Sequence, residues 1–141
     1  MEVKTNTTAN WADPITVGDL HSKNRIMMAA LTRCRCNPED NIPTPLLTEY
    51  YGQRAGAGII LSEATPVSQR GEGFFGSACL YNEKHLEGWK LVTKAVHGKG
   101  GLIVVQLVHA GRATHPTINK GLEAYGPSPL RRREPIRGLN E

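Results

Sequence analysis

Gly58-Ile-Ile-Leu-Ser-Glu-Ala-Thr65 is an apolar run that turns polar only where it ends. A strand with one wet face alternates apolar and polar residues, whereas a strand covered on both faces is continuously apolar. Two other runs share this character, Arg25-Ile-Met-Met-Ala-Ala-Leu-Thr32 before it and Gly101-Leu-Ile-Val-Val-Gln-Leu-Val108 after it. The sequence therefore predicts three strands that are buried on both faces.

Helical patterns separate the three runs. The first helix has Thr44 as its N-cap and Pro45 at its first position, and it stops near Gly56. The second begins after Asn82 and ends at Gly98, with apolar residues recurring every three or four positions. This β-α-β-α-β order predicts an α/β fold with a parallel sheet.

Length limits how much of such a fold is present. The chain has 141 residues, one domain's worth, whereas a complete (β/α)₈ barrel needs about 250. The composition, with 39% hydrophobic and 21% charged residues, is that of a globular protein. A polar start and the lack of a long apolar stretch favour a cytoplasmic protein without a membrane span.

Cysteine spacing and charge give no sign of a metal or nucleic-acid site. Cys34, Cys36 and Cys79 are an odd number without zinc-type spacing, so we expect free thiols and no metal. Residues 111–141 are predicted to be a loop-rich tail, made basic by the arginines of 131–137. No aromatic interleaving or DNA-binding motif accompanies that charge, which favours a solvated segment over a nucleic-acid partner.

All three predicted strands carry a polar group at the carboxyl end: Thr32, then Glu63 to Thr65, then Gln106. A dinucleotide-binding fold would need glycines after the first strand, where this chain has Thr32-Arg-Cys-Arg-Cys-Asn37. A TIM barrel instead builds its site from strand tips and the loops after them. Polar tips fit that architecture, although any strand leaving a core can turn polar.

Four blocks sharpen the assignment: Asn24-Arg-Ile-Met-Met-Ala-Ala-Leu-Thr-Arg33, Ser62-Glu-Ala-Thr-Pro-Val-Ser68, Glu87-Gly-Trp-Lys90 with Ala95-Val-His-Gly-Lys-Gly-Gly101, and Val105-Gln-Leu-Val-His-Ala-Gly-Arg112. In this order they resemble the old yellow enzyme family over about residues 12–130. The resemblance implies a TIM barrel of which this chain holds roughly the first three β/α units. It also implies FMN, reduced by NAD(P)H, passing hydride to an activated alkene such as an enone or enal.

The same resemblance implies cofactor-binding positions. Ala30, Leu31 and Thr32 would lie beside the flavin, with the Thr32 hydroxyl at its O4 edge. Ala64 would be the small residue that lets the main chain approach the ring. Gln106 would bond the pyrimidine edge, because a glutamine amide both donates and accepts.

Two positions depart from the pattern of the family. Ala30 replaces a usual proline, and Val108 stands where a tryptophan is frequent on the substrate side, so substrate preference stays open. His109, Arg112 and His115 follow the third strand, and we expect them to structure that loop. No catalytic residue is assigned, because the resemblance implies that the substrate anchors, the proton donor and the phosphate loops follow the part of the family fold that these 141 residues match.

The functional hypothesis is an FMN-dependent oxidoreductase acting on small-molecule alkenes, incomplete or inactive in this length. One alternative is a non-catalytic assembly or regulatory module, which self-associates or completes a barrel with a partner chain. A third is a flavin-free isomerase or cyclase that uses Thr32, Gln106 or His109. Open strand edges favour association in every case.

Overall fold

The computed structural model describes residues 9–130 and forms two small sheets and two α-helices. Its elements, in chain order, are β1 (Ile15–Val17), β2 (Leu20–Ser22), β3 (Met27–Met28), α1 (Pro45–Gln53), β4 (Ile59–Pro66), α2 (Glu83–His97) and β5 (Ile103–Val108). Strands β1 and β2 are an antiparallel pair. The main sheet has the order β3-β4-β5, and both of its pairings are parallel.

The core lies between this sheet and the two helices. Ile60 of β4 packs with apolar side chains from both helices, namely Leu47, Tyr51, Trp89, Val92 and Val96. All of these side chains are buried. The predicted β-α-β-α-β order and parallel sheet are therefore confirmed.

Helix capping follows the sequence closely. The Thr44 hydroxyl accepts from the Leu47 N–H at 3.4 Å, and the Asn82 side chain accepts from the His85 N–H at 2.9 Å. Gly98 follows the last residue of α2, as predicted. Helix α1 ends at Gln53, with Arg54 as its C-cap, three residues before the expected Gly56.

The burial predicted for the outer strands is wrong. Strand β3 contains only two residues, so Thr32 lies in the loop that follows and not at a strand tip. In β5 the four central residues are exposed, and Met27 of β3 is 59% exposed. Both strands are edges of an open sheet, because neither has a neighbour among residues 9–130 to pair with its outer side.

Strands β1 and β2 form a hairpin that was not predicted from the sequence. Gly18, at φ 58°, begins the two-residue turn between β1 and β2, and Gly followed by Asp is a known hairpin signal. Ser22, at the end of β2, is buried, and its hydroxyl donates to the Asn24 carbonyl at 2.5 Å. This segment packs directly over Gly58, just before β4.

The Gly58→Ala variant is expected to lower the free energy of unfolding by about 1–3 kcal/mol, the usual penalty of overpacking. A Cβ at this position would overlap the Ser22 hydroxyl and the Asn24 carbonyl oxygen. Urea denaturation followed by circular dichroism measures the change. Gly56→Ala is the matched control, since its Cβ would meet nothing within 4 Å; equal stability of the two variants would contradict the packing.

Residues 111–130 contain turns and one short 3₁₀ helix, and several of their side chains are buried. Thr114, Ile118 and Asn119 are buried, and the Asn119 side chain donates to the Leu122 carbonyl at 2.7 Å. The arginines of 131–137 lie outside the described residues. Across residues 9–130, neither helix has the length and apolar character that a membrane span requires.

Candidate flavin-binding rim

The loops after β3, β4 and β5 leave the sheet at the same edge, because parallel strands have their carboxyl ends together. At this edge Ala64 and Gln106 are direct register partners. Gln106 is exposed and Ala64 half-buried. We call the group formed by 30–32, Ala64 and Gln106 the rim.

Gln106 and Ala64 lie on the sheet face that turns away from α2. Ile103 and Val105 line an apolar groove beside α2, together with Leu80, Leu86 and Trp89. Because side chains alternate along a strand, Gln106 is on the opposite face. Its register partner Ala64 has a small side chain, so little protrudes from the sheet beside the glutamine amide.

A hydrogen bond of Arg33, the residue after Thr32, fixes the position of this loop at the end of β4. The Arg33 N–H donates to Oε2 of Glu63 at 2.8 Å, and Glu63 directly precedes Ala64. Thr32 and Ala30 are half-buried, whereas Leu31 is 50% exposed. The Arg33–Glu63 bond thus brings the chain beside Thr32 to the edge that carries Ala64 and Gln106. Leu31 instead lines a groove against α1 with Tyr50 and Gln53.

Glu63 is a buried carboxyl group at this edge, and its side chain is 0% exposed. Burial raises its pKa above the usual 4.5, and the N–H groups of Arg33 and Cys34 oppose that rise. Its own N–H donates to the Tyr51 hydroxyl at 2.8 Å. Burial also raises the pKa of that hydroxyl. Glu63 is the polar strand tip expected from the sequence, whereas its contact with the loop after β3 has no sequence signal.

The Glu63→Gln variant is expected to remove a pH-dependent loss of stability. A carboxyl whose pKa is raised by folding stabilises the native state fully below pH 4.5, and this contribution disappears as the pH rises through the raised value. The wild type should therefore lose stability relative to the variant as the pH increases from 4.5. Urea denaturation across that range tests this, and parallel curves would contradict the raised pKa.

Glu72 joins the three loops that surround the rim. Its carboxylate accepts from Asn41 Nδ2 at 2.9 Å and from the Tyr81 hydroxyl at 2.7 Å. Its carbonyl oxygen accepts from the Thr114 hydroxyl. The loops after β3, β4 and β5 are thereby linked through one buried residue. A charged residue in a glycine-rich loop was the only sequence signal for this role.

The two histidines of the last loop bond to the local main chain. His109 Nδ1 accepts from the Gly111 N–H at 3.0 Å, and His115 Nδ1 accepts from the Thr117 N–H at 3.2 Å. His109 also packs closely on Gly71, where a Cβ would come within 2.8 Å of its ring. These contacts agree with a loop-structuring role for both residues. Arg112 lies in the short 3₁₀ turn Gly111–Ala113 between them.

The three cysteines are free thiols, with Cys34 exposed and Cys36 and Cys79 buried. Burial raises the pKa of the Cys36 thiol to about 12. Within residues 9–130, no three His, Cys, Asp or Glu side chains come together as a metal site would require. At the rim, the Gln106 amide and the Thr32 hydroxyl can form hydrogen bonds beside the small side chain of Ala64.

These features fit the pyrimidine edge of a flavin. That edge presents carbonyl acceptors and an N–H donor, which the Gln106 amide can satisfy together. The low surface at Ala64 would allow a flat ring to approach the sheet.

The sequence profile of the NADH:flavin oxidoreductase / NADH oxidase family matches residues 12–140. A probable flavin mononucleotide-dependent alkene reductase from Leishmania infantum is 38% identical over 116 residues, which are 82% of this chain and 32% of that protein. The chain thus spans about a third of the length of the curated relatives it matches.

Solved structures give the same result. The old yellow enzyme homologue from Zymomonas mobilis superposes with a TM-score of 0.81 at 43% identity, over 85% of this chain and 33% of that one. Morphinone reductase in complex with tetrahydroNAD superposes with a TM-score of 0.82 at 41% identity, over 86% and 33%. Those enzymes are TIM barrels, and residues 9–130 form an unclosed part of one. The chain belongs to the FMN-dependent NADH:flavin oxidoreductase family that includes the old yellow enzymes.

Proposed function

We propose that this chain provides the N-terminal third of an FMN-dependent ene-reductase and one side of its flavin site. The observation that carries this proposal is the pairing of Ala64 with Gln106, beside the loop that contains Thr32. A family match over most of the chain supports it. FMN, when bound, would accept hydride from NAD(P)H and deliver it to an electron-poor alkene.

Each rim residue has a separate role in the proposal. The Gln106 amide would hold the pyrimidine edge, and the Thr32 hydroxyl would donate to O4, where the reduced ring is richer in electrons. Ala64 would leave room for the ring against the sheet. The main chain of Ala30 and Leu31 would form the adjoining wall. Preorganised donors of this kind stabilise charge without reorganising during the reaction.

The isolated chain should bind FMN weakly. Phosphate contacts in TIM barrels come largely from the loops after strands seven and eight, and this chain spans only a third of its relatives. We therefore expect the purified chain to be colourless or weakly yellow and unable to oxidise NADPH. Stoichiometric flavin with NADPH oxidation would contradict this expectation.

Exposed apolar residues on β5 favour association with further β/α units. Val104 and Val105 are each 37% exposed, and Leu107 is 59% exposed. An unpaired apolar strand is a template for pairing. We infer that β5 pairs along its outer side with the rest of a barrel, which is either part of the same polypeptide or supplied by another chain. Light scattering during size-exclusion chromatography tests this, since a stable monomer at high concentration would oppose it.

A chimera tests the proposed activity. The 141-residue chain would replace the matching third of the Zymomonas mobilis homologue. The two sequences are 43% identical over that matched part. Oxidation of NADH or NADPH that depends on 2-cyclohexenone is the expected result. A folded, flavin-containing chimera without enone-dependent oxidation would contradict the activity.

A further inference from the structure

Glu63 occupies an irregularity in β4 that directs it toward the neighbouring loop. Leu61 pairs with Val104 and Ala64 pairs with Gln106, so β4 has one more residue than β5 between these pairs. Such a bulge redirects side chains and is frequent near functional sites. Here the Gln106 N–H donates to the Ser62 hydroxyl at 3.0 Å. The irregularity therefore buries Ser62 and Glu63 together, immediately before Ala64.

The carboxylate of Glu63 holds a main-chain segment that does not belong to any strand. Its Oε2 accepts the Arg33 N–H at 2.8 Å. Cys34, the next residue, has a φ of 51°, a left-handed conformation that costs a non-glycine residue about 1–2 kcal/mol. The Arg33 guanidinium lies 5.1 Å from the centre of the Tyr50 ring. Side-chain contacts thus hold this loop where strand pairing has already ended.

We propose that Glu63 is a positioning residue, which anchors the main chain of 32–34 at the end of β4 so that the Thr32 hydroxyl faces the rim beside Ala64 and Gln106. The effect on flavin rests on the proposed function, whereas the anchoring does not. The other carboxyl oxygen, Oε1, is buried without a hydrogen-bond partner in the part of the chain that the structure describes. Burying a carboxyl oxygen without a hydrogen bond costs free energy, and holding the loop is the role that the contacts of Oε2 support.

Amide hydrogen exchange tests the anchoring in the chain itself. The Arg33 amide should be protected in the wild type, because its acceptor is fully buried. In Glu63→Leu it should exchange on the order of 10-fold faster or more, as a locally released amide does. Glu63→Gln keeps an acceptor oxygen and should restore protection. The Ile60 amide, which donates to the Leu102 carbonyl at 2.8 Å, is the internal control for global unfolding.

Two exchange results would overturn the anchoring. An unprotected Arg33 amide in the wild type would do so without any variant, which matters if Glu63→Leu does not fold. Unchanged Arg33 exchange in a folded Glu63→Leu protein would do so as well.

The flavin reduction potential of the chimera tests the connection through Thr32. Glu63→Leu and Thr32→Val should each lower the potential, because each removes the hydroxyl from O4. The double variant should match Thr32→Val alone, since Glu63 acts through Thr32. Additive shifts, or no shift for Glu63→Leu, would overturn the connection. A chimera that binds no FMN would contradict the proposed function, while amide exchange would still decide the anchoring.

Discussion

The Trp89→Ala variant is expected to lower the free energy of unfolding by about 3–5 kcal/mol, the usual effect of deleting a buried aromatic side chain. Trp89 is only 6% exposed, and its ring centre lies 6.1 Å from that of Tyr51. Its indole N–H donates to the Cys79 carbonyl at 3.0 Å. The variant would thus leave a cavity between α1 and α2 and an unpaired carbonyl oxygen. Urea denaturation followed by far-UV circular dichroism measures the loss.

Two controls separate the contributions of Trp89. Leu91→Ala, on the same helix at a 58% exposed position, should change stability by less than about 1 kcal/mol, as surface substitutions do. Trp89→Phe should have an intermediate effect, because it keeps aromatic packing and loses the N–H donor. Equal stability of Trp89→Ala and Leu91→Ala would show that α2 does not pack as described.

The Gln106→Leu variant of the chimera is expected to bind FMN about 10- to 100-fold more weakly, because leaving buried polar groups unpaired costs about 1–3 kcal/mol. Leucine has a similar size but no donor or acceptor for the pyrimidine edge. Fluorescence titration with FMN measures the dissociation constant.

Gln53→Leu is the matched control for Gln106→Leu. It makes the same chemical change at an exposed residue of α1 that lies beside Leu31 but has no part in the proposed contacts to the pyrimidine edge, and it should leave the dissociation constant unchanged. Unchanged affinity for Gln106→Leu would remove that residue from the flavin site, whereas an equal loss in both variants would indicate a general effect on folding.

Local signals predicted the helices and the central strand well. Caps at Thr44 and Asn82 lie at their predicted positions because their side chains bond to N–H groups three residues ahead. Strand β4 runs over Ile59–Pro66, within one residue of the apolar run. These features depend on neighbouring residues, so a single sequence contains the necessary information.

Features that depend on distant contacts were predicted less well. The apolar run 25–32 looks like one strand, yet pairing stops after Met28, and further along the Glu63 carboxylate holds the Arg33 N–H. The exposure of β5 was not predicted, because an apolar run does not show whether another strand pairs with its outer side; among residues 9–130 none does. The hairpin at Gly18 did have a local signal, a Gly-Asp pair after the alternating segment Ile15-Thr-Val17, although no strand was predicted there.

Thr32 and Gln106 were identified as polar residues at the ends of predicted strands, whereas Ala30, Leu31 and Ala64 came from the resemblance to the old yellow enzyme family. Register alone explains the contact between Ala64 and Gln106. The supporting residues Glu63 and Glu72 could not be assigned from sequence, since their partners in the other loops, Arg33, Asn41 and Thr114, lie about thirty to forty positions away. A buried carboxylate gives only a weak signal before its partners are known.

The flavin content of the purified chimera tests most directly whether this rim belongs to an FMN site. We predict about one FMN per folded chain, as one site per barrel implies, measured from the flavin absorbance after removal of free cofactor. A folded, colourless chimera that stays colourless after addition of FMN would contradict that assignment.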